Sequence, residues 1–183
     1  MFLGLIAHKA VWEILKKRDG LPRARQPGST SLAKRFVKLV KVMVLVFIVI
    51  QTLFLKLFRI STRPRPLRLI GFALYVAGLA TAIVGRFQLG KNWANLEDYQ
   101  VLDNQSLVTN GIYRFIRHPI YTGDLLLLAG LELALNSWLV LGVPALLVYV
   151  YRQVKAEELV LSRSFPEYSD YQKDTKMFIP FVL

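Results

Sequence analysis

Hydrophobic positions fall into four long runs separated by short polar stretches. The first extends from about residue 36 to 58 and is densest from Val42 to Leu55. The second covers 67–89, densest from Leu69 to Val84. The third starts at Pro119-Ile120 and reaches about Leu135, and the fourth runs from Trp138 to Tyr151. Each predicts an apolar helix. Several dense parts fall short of the roughly 18 residues expected of a membrane span, a shortfall that tilt, snorkelling ends or local bilayer thinning can cover. The predicted fold is therefore an all-α, polytopic membrane bundle with about four main spans. A soluble helix bundle with a buried core is the competing reading.

Ahead of the runs, Leu5, Ile6, Trp12, Ile14 and Leu15 alternate with His8, Lys9 and Glu13 before Lys16-Lys17-Arg18. This pattern predicts an interfacial amphipathic helix, too interrupted to span. Gly20 to Ser31, rich in proline, glycine and arginine, reads as a loop. No small-residue cleavage site follows the apolar start, so no signal peptide is expected. Near the other end Phe165, Tyr168 and Tyr171 are spaced by three and define a short amphipathic segment, either a lid or an ordinary interfacial helix. One unit is expected, divided into an interfacial helix and loop (1–35), two spans (36–89) and a core that carries the chemistry (90–183).

Asn136-Ser137 leaves no room for a water-exposed loop, so runs three and four should form a tight antiparallel hairpin. Their outer ends, near residues 118 and 155, then share one membrane side. Lysine and arginine number 10 in residues 1–41, 4 in 86–118 and 5 in 152–183, against 5 in the 56–68 loop. The basic excess places the N-terminus and the hairpin's outer ends in the cytoplasm. Lys56, Arg59, Arg63, Arg65 and Arg68 fit that rule poorly. They are expected to hold anionic lipid headgroups, unless the first run fails to cross.

Composition narrows the chemistry. With 54% hydrophobic residues in 183, the chain is too apolar for an ordinary soluble domain. A net charge of +12 would suit nucleic acid or an anionic membrane. The basic residues flank the apolar runs, which favours the membrane and argues against nucleic acid. The absence of cysteine excludes disulfides and thiolate chemistry, and with only His8 and His118 no metal site is expected.

Two polar clusters remain. In Gly-Ile-Tyr-Arg-Phe-Ile-Arg-His-Pro-Ile-Tyr-Thr-Gly (111–123), Pro119 suits the first turn of a helix, with His118 at its cap and Arg117 just outside. First-turn N–H groups and two basic side chains make an anion site. Alternatively Arg114, Arg117 and His118 are membrane anchors, with Tyr113 and Tyr121 as an aromatic belt. Glu157-Glu158, at the exit of the fourth run, are not anchors, and they oppose the helix dipole. Consecutive helix positions differ by about 100°, so only one faces a given pocket while the other pairs with Lys155, Arg163 or a residue of the first cluster. A solvated surface pair is the alternative. Asp124 and Glu132 lie inside the third run but near enough to its ends to reach the interface, and rank below the two clusters.

Arg-His-Pro-Ile-Tyr-Thr-Gly (117–123), Glu-Glu-Leu (157–159), Phe-Pro-Glu-Tyr-Ser-Asp-Tyr (165–171) and a closing Ile-Pro, in that order, resemble the isoprenylcysteine carboxyl methyltransferases and the related phospholipid N-methyltransferases. The resemblance covers about Lys91 to Pro180. It implies S-adenosylmethionine as methyl donor, bound at the cytosolic face, and a lipophilic acceptor that enters from the bilayer. By position it places cofactor contacts at Leu107, Val108, Tyr113, His118, Pro119, Ile120, Tyr121 and Glu157. Gln105 stands where the prenylcysteine enzyme carries histidine. Gln153 stands where that enzyme has an acceptor-holding arginine, with Arg152 adjacent, so a standard prenylcysteine is not the expected acceptor. Carboxylate oxygen and lipid amine nitrogen both remain open.

The residues suit this donor. Glu157 can accept from a ribose diol, Arg117 and His118 can hold a carboxylate, and Leu107, Val108 and tyrosine rings can pack an adenine. Glu158 completes the cofactor set, and catalysis is expected to come from proximity and a dry site, without metal. A non-catalytic protein that binds lipid or a partner through its basic and aromatic surface is the alternative from another class.

Overall fold

The computed structural model describes residues 1–19, 59–93 and 105–180, together with positions 39, 43, 46, 47, 50 and 51. Among the described residues five α-helices have defined bounds: α1 (Phe2–Arg18), α2 (Arg65–Leu89), α3 (Pro119–Ala134), α4 (Gly142–Ser164) and α5 (Tyr168–Asp174). Among the described residues there are no strands, only two isolated bridges, Arg59 with Ser137 and Ile116 with Lys176. The first predicted run lies mostly outside the described residues, and its six described positions are helical.

Among the described residues two helical stretches, Arg65–Asn92 and Trp138–Ser164, are long and apolar enough to cross a membrane. α2 begins with Pro66 in its first turn and ends at Gly90, whose φ of 51° stops the helix. α3 starts at Pro119, as its ring geometry favours.

α2 and α3 pack antiparallel along a glycine seam. A Cβ on Gly71 would strike the backbone of Gly130 and Ala134, and one on Gly78 would strike Gly123 and Leu127. Gly85 faces Pro119 and Ile120. In hydrocarbon no hydrophobic force drives helices together, so small residues that let backbones touch supply the attraction. Tyr75, Leu127, Leu131 and Leu135 form the core beside this seam, and Met1 and Leu5 pack on it.

α1 lies against α2 with much of its own surface exposed. Its start is held by the Tyr75 hydroxyl, which donates to the Met1 carbonyl at 2.7 Å, and at its other end Asp19 pairs with Arg86 at 3.1 Å. It thus follows α2 through the 75–86 stretch. The cause is the fully buried Arg86, which needs a counter-charge and finds it in Asp19.

The turn after α3 is as tight as expected. Asn136, with φ 59°, takes the left-handed conformation that asparagine tolerates better than most residues. Its side chain donates to the Ser61 carbonyl at 2.7 Å and accepts from the Ser61 amide at 3.1 Å. The 59–63 loop is thereby clamped to the turn. Glu132 does not reach a surface: it is buried and accepts a hydrogen bond from Gln51 at 2.8 Å. At the opposite end His118 and Glu158 lie 3.3 Å apart, so the hairpin's outer ends meet.

Candidate functional site

That end holds a cavity walled by six parts of the chain. α1 contributes Trp12, and the 89–93 segment contributes Leu89, Asn92 and Trp93. Gln105 to Val108 form a second wall, and Tyr113 with the 117–124 segment forms a third. Glu157, Val160, Leu161 and Phe165 come from α4 and its end, and Tyr168 and Tyr171 from α5.

Local hydrogen bonds fix each wall. The Gln105 side chain donates to the Asn92 carbonyl at 2.9 Å, and the Ser106 amide donates to the Asn92 side chain at 2.8 Å. Tyr113 donates to the Gly85 carbonyl at 3.2 Å, and Tyr171 donates to the Tyr113 carbonyl at 2.7 Å. Residues 175–178 run beside 115–118: Arg117 and His118 amides donate to the Lys176 and Met177 carbonyls at 2.8 and 3.1 Å. Thr122 donates to the Phe178 carbonyl at 3.0 Å. The tail thus buckles α5 across the start of α3 as a wall of the cavity. Burial pushes the phenols of Tyr113, Tyr168 and Tyr171 up from their ordinary value, so all three remain neutral donors.

The two adjacent acids have different surroundings. Glu158 is buried and takes the Arg117 guanidinium at 2.7 Å, with Lys155 at 3.6 Å behind it. Arg117 also donates to the carbonyls of Gln172 and Thr175. Glu157 lines the cavity and accepts from the Tyr121 hydroxyl at 3.1 Å.

Of the residues singled out from sequence, Gln105, Leu107, Val108, Tyr113, Arg117, His118, Ile120, Tyr121 and Glu157 all line this one cavity. Four do not. Pro119 is buried beneath Gly85, where its ring packs the seam. Glu158 is turned to the Arg117 guanidinium and the His118 ring, because a buried carboxylate needs a cation and hydrogen-bond partners. The free anion site expected at Arg117 and His118 is therefore partly filled from within: the protein's own Glu158 already pairs with Arg117. Arg152 is exposed and Gln153 half-buried, one turn back along α4, and neither reaches the cavity wall.

Sequence reasoning missed Trp12, Asn92, Trp93, Val160 and Leu161. Val160 and Leu161 lie three and four residues beyond Glu157, a helix-face spacing that would have found them. The others come from distant segments with no local signal. Tyr168 is the most telling addition. It is almost fully buried, and its hydroxyl has no hydrogen-bond partner among the described residues. Such an orphaned donor at a cavity wall fits a polar ligand.

The chain superposes on the solved structure of a eukaryotic intramembrane Ras methyltransferase, isoprenylcysteine carboxyl methyltransferase, with a TM-score of 0.63 and 22% identity. That superposition covers 97% of this chain and 63% of the other, and it establishes the shared all-helical fold. A cobalt-zinc-cadmium resistance protein of Cupriavidus metallidurans is 35% identical over 109 residues, or 58% of this chain and 48% of that protein. The protein-S-isoprenylcysteine O-methyltransferase of Rattus norvegicus is 30% identical over 115 residues, or 61% of this chain and 40% of the enzyme. The chain thus spans about half or less of the length of these curated relatives. The sequence model for phospholipid methyltransferases matches residues 67–168, which takes in α2, the 117–124 segment and both glutamates. The chain belongs to the phospholipid methyltransferase family.

Proposed function

We propose that this chain is an S-adenosylmethionine-dependent methyltransferase whose acceptor is a lipophilic molecule entering from the bilayer. The observation that carries the proposal is the convergence of 105–108, 113, 117–121, 157 and α5 on one cavity at the end of apolar helices. The family membership and the methyltransferase names of its relatives point the same way.

The residues fit the donor. Glu157 would accept from its ribose hydroxyls, Leu107, Val108 and the tyrosine rings would pack its adenine, and Tyr168 would donate to a polar group. When bound, the donor supplies an activated methyl on a sulfonium. The chain supplies orientation and a site from which Val160, Leu161, Phe165 and the tyrosines exclude water. Holding acceptor and methyl in line inside such a site accounts for acceleration without an acid–base residue on the donor.

We place the cavity end in the cytoplasm, with α2, α3, α4 and the run around 39–51 as spans. Exposed Arg59, Arg63, Arg65 and Arg68 at the far end are taken to hold anionic headgroups. Single substitutions Ser61→Cys, Ser106→Cys and Ser164→Cys in this cysteine-free chain test the orientation. Only Ser61→Cys should react with an impermeant thiol reagent in intact cells. Labelling of Ser106→Cys without Ser164→Cys would break the shared face.

The activity is tested by incubating the purified full chain with isotopically labelled methyl donor and a membrane lipid extract. Label should enter a lipid-soluble product. Donor binding without any transfer across lipid classes would reduce the protein to a binding module.

A further inference from the structure

Resting on the methyltransferase reading, one cluster beside the cofactor residues bears on the kind of acceptor. Asp124 and Trp12 both line the cavity, although neither belongs to the motif residues that would hold the donor. Asp124 stands more than a turn into α3 from Pro119, on the side of the cavity nearer the middle of the helices. Its carboxylate is about half exposed, at 47%, and lies 3.1 Å from His8 Nε2. His8 in turn stacks on Trp12, with ring centroids 4.1 Å apart and planes at 24°. A carboxylate and an indole are thus fixed side by side on the cavity wall by a histidine behind them.

The charge of the whole cavity matters as much. Its lining residues carry two acids, Asp124 and Glu157, and its arginine, Arg117, is already held by Glu158 at 2.7 Å. Lys155 also turns toward Glu158, and Arg152 lies outside the wall. Among the described residues, no arginine or lysine in the wall is left to receive an anionic acceptor. An entering carboxylate would meet like charge at Asp124, whereas an ammonium would meet a carboxylate and an aromatic face, both favourable to a cation.

We infer that Asp124 and Trp12 form the acceptor subsite and select a lipophilic amine over a lipophilic carboxylate, with His8 as a positioning residue. The ammonium passes its proton to Asp124, which releases it to water at the exposed rim. The freed nitrogen lone pair then forms the N–C bond as the C–S bond of the donor breaks, and that bond's electron pair stays on sulfur. The products are a methylated ammonium, which now carries the sulfonium's positive charge, and a neutral thioether.

Dodecylamine and dodecanoate, equal in chain length and opposite in charge, test this on the full chain in neutral detergent. Without methyl donor, the wild type should bind dodecylamine at least tenfold more tightly than dodecanoate. Asp124→Asn should erase that preference and change S-adenosylmethionine affinity less than twofold, while Asp124→Glu should restore part of it. His8→Ala should raise KM for the amine in methyl transfer with little change in kcat, and His8→Gln, which can keep the hydrogen bond, should restore it. Equal or tighter binding of dodecanoate by the wild type overturns the inference, and needs no variant to fold. So does an Asp124→Asn variant that loses donor and amine affinity together, since Asp124 would then belong to the cofactor. A chain that binds S-adenosylmethionine yet prefers the carboxylate refutes the subsite alone, whereas one that does not bind the donor refutes the methyltransferase reading as well.

Discussion

α3 meets its two neighbours in opposite ways. Toward α2 it presents Gly123 and Gly130, and the two backbones touch along most of their length. Toward the cavity it shares with α4 it presents Tyr121 and, paired with His8 of α1, Asp124, and the helices part around that cavity, whose far wall is Glu157, Val160 and Leu161. One helix thus has a face of small residues that closes a seam and a face of large polar residues that keeps a cleft open. The seam supplies rigidity, and the cleft can tolerate an orphaned hydroxyl and an accessible carboxylate because the seam holds α3 in place. Buried charge follows the same division. Arg86 beside the seam is closed off by Asp19, whereas the acids at the cleft are split between support (Glu158) and contact (Glu157).

The division can be broken from the seam first. Gly123→Leu forces a side chain into the backbone of Gly78 and Ala82, where nothing flexible can yield. Overpacking of a well-packed core costs about 1–3 kcal/mol and sometimes more, and this position should exceed that range. Denaturant titration in detergent should show loss of the folded state, whereas Gly142→Leu, which meets nothing within 4 Å, should not. A Gly123→Leu protein as stable as wild type would disprove the seam.

Arg117→Ala comes next. It strands Glu158, whose side chain is 4% exposed, and removes the link to the 172–175 carbonyls. Breaking a buried pair from one side costs about 3–5 kcal/mol, and His118 and Lys155 should keep the loss near the lower bound. Arg117→Ala/Glu158→Gln should recover part of that stability, as measured by the same titration. No recovery would mean that Arg117 acts mainly through its carbonyl contacts.

Tyr168→Phe should have the smallest effect and act only on the cleft. Its hydroxyl has no partner among the described residues, so the ligand-free protein should keep its stability or gain slightly. Donor affinity should fall by the worth of one neutral hydrogen bond, about 0.5–1.5 kcal/mol or two- to twelvefold. Destabilisation of the ligand-free variant would show that the hydroxyl already has a partner.

Sequence made the cleft more legible than the seam. Pro119 after His118 marks a helix start by ring geometry, and Asn136-Ser137 marks a turn too short for a loop. Residues 117–121 and Glu157 are adjacent or carried by one motif, so their types and order were enough to nominate them. Which of Glu157 and Glu158 faces the cavity was half legible: a 100° offset requires that they differ, but the choice depends on where Arg117 lies. The glycines at 71, 78 and 85 and at 123 and 130 repeat every seven residues, a signal present in the sequence and left unread. The course of α1 had no such signal, because it rests on Tyr75 and Arg86, each more than sixty residues away from its partner.

Glu157 is the acid proposed to meet the methyl donor, while its neighbour Glu158 supports the fold. Calorimetric titration of S-adenosylmethionine into wild type and Glu157→Ala, both verified as folded in detergent, addresses this. Loss of a hydrogen bond to a charged group is worth about 1.5–3 kcal/mol, so affinity should fall about 10- to 150-fold with stability retained. Equal affinity in the two proteins would remove Glu157 from the donor site and contradict the account.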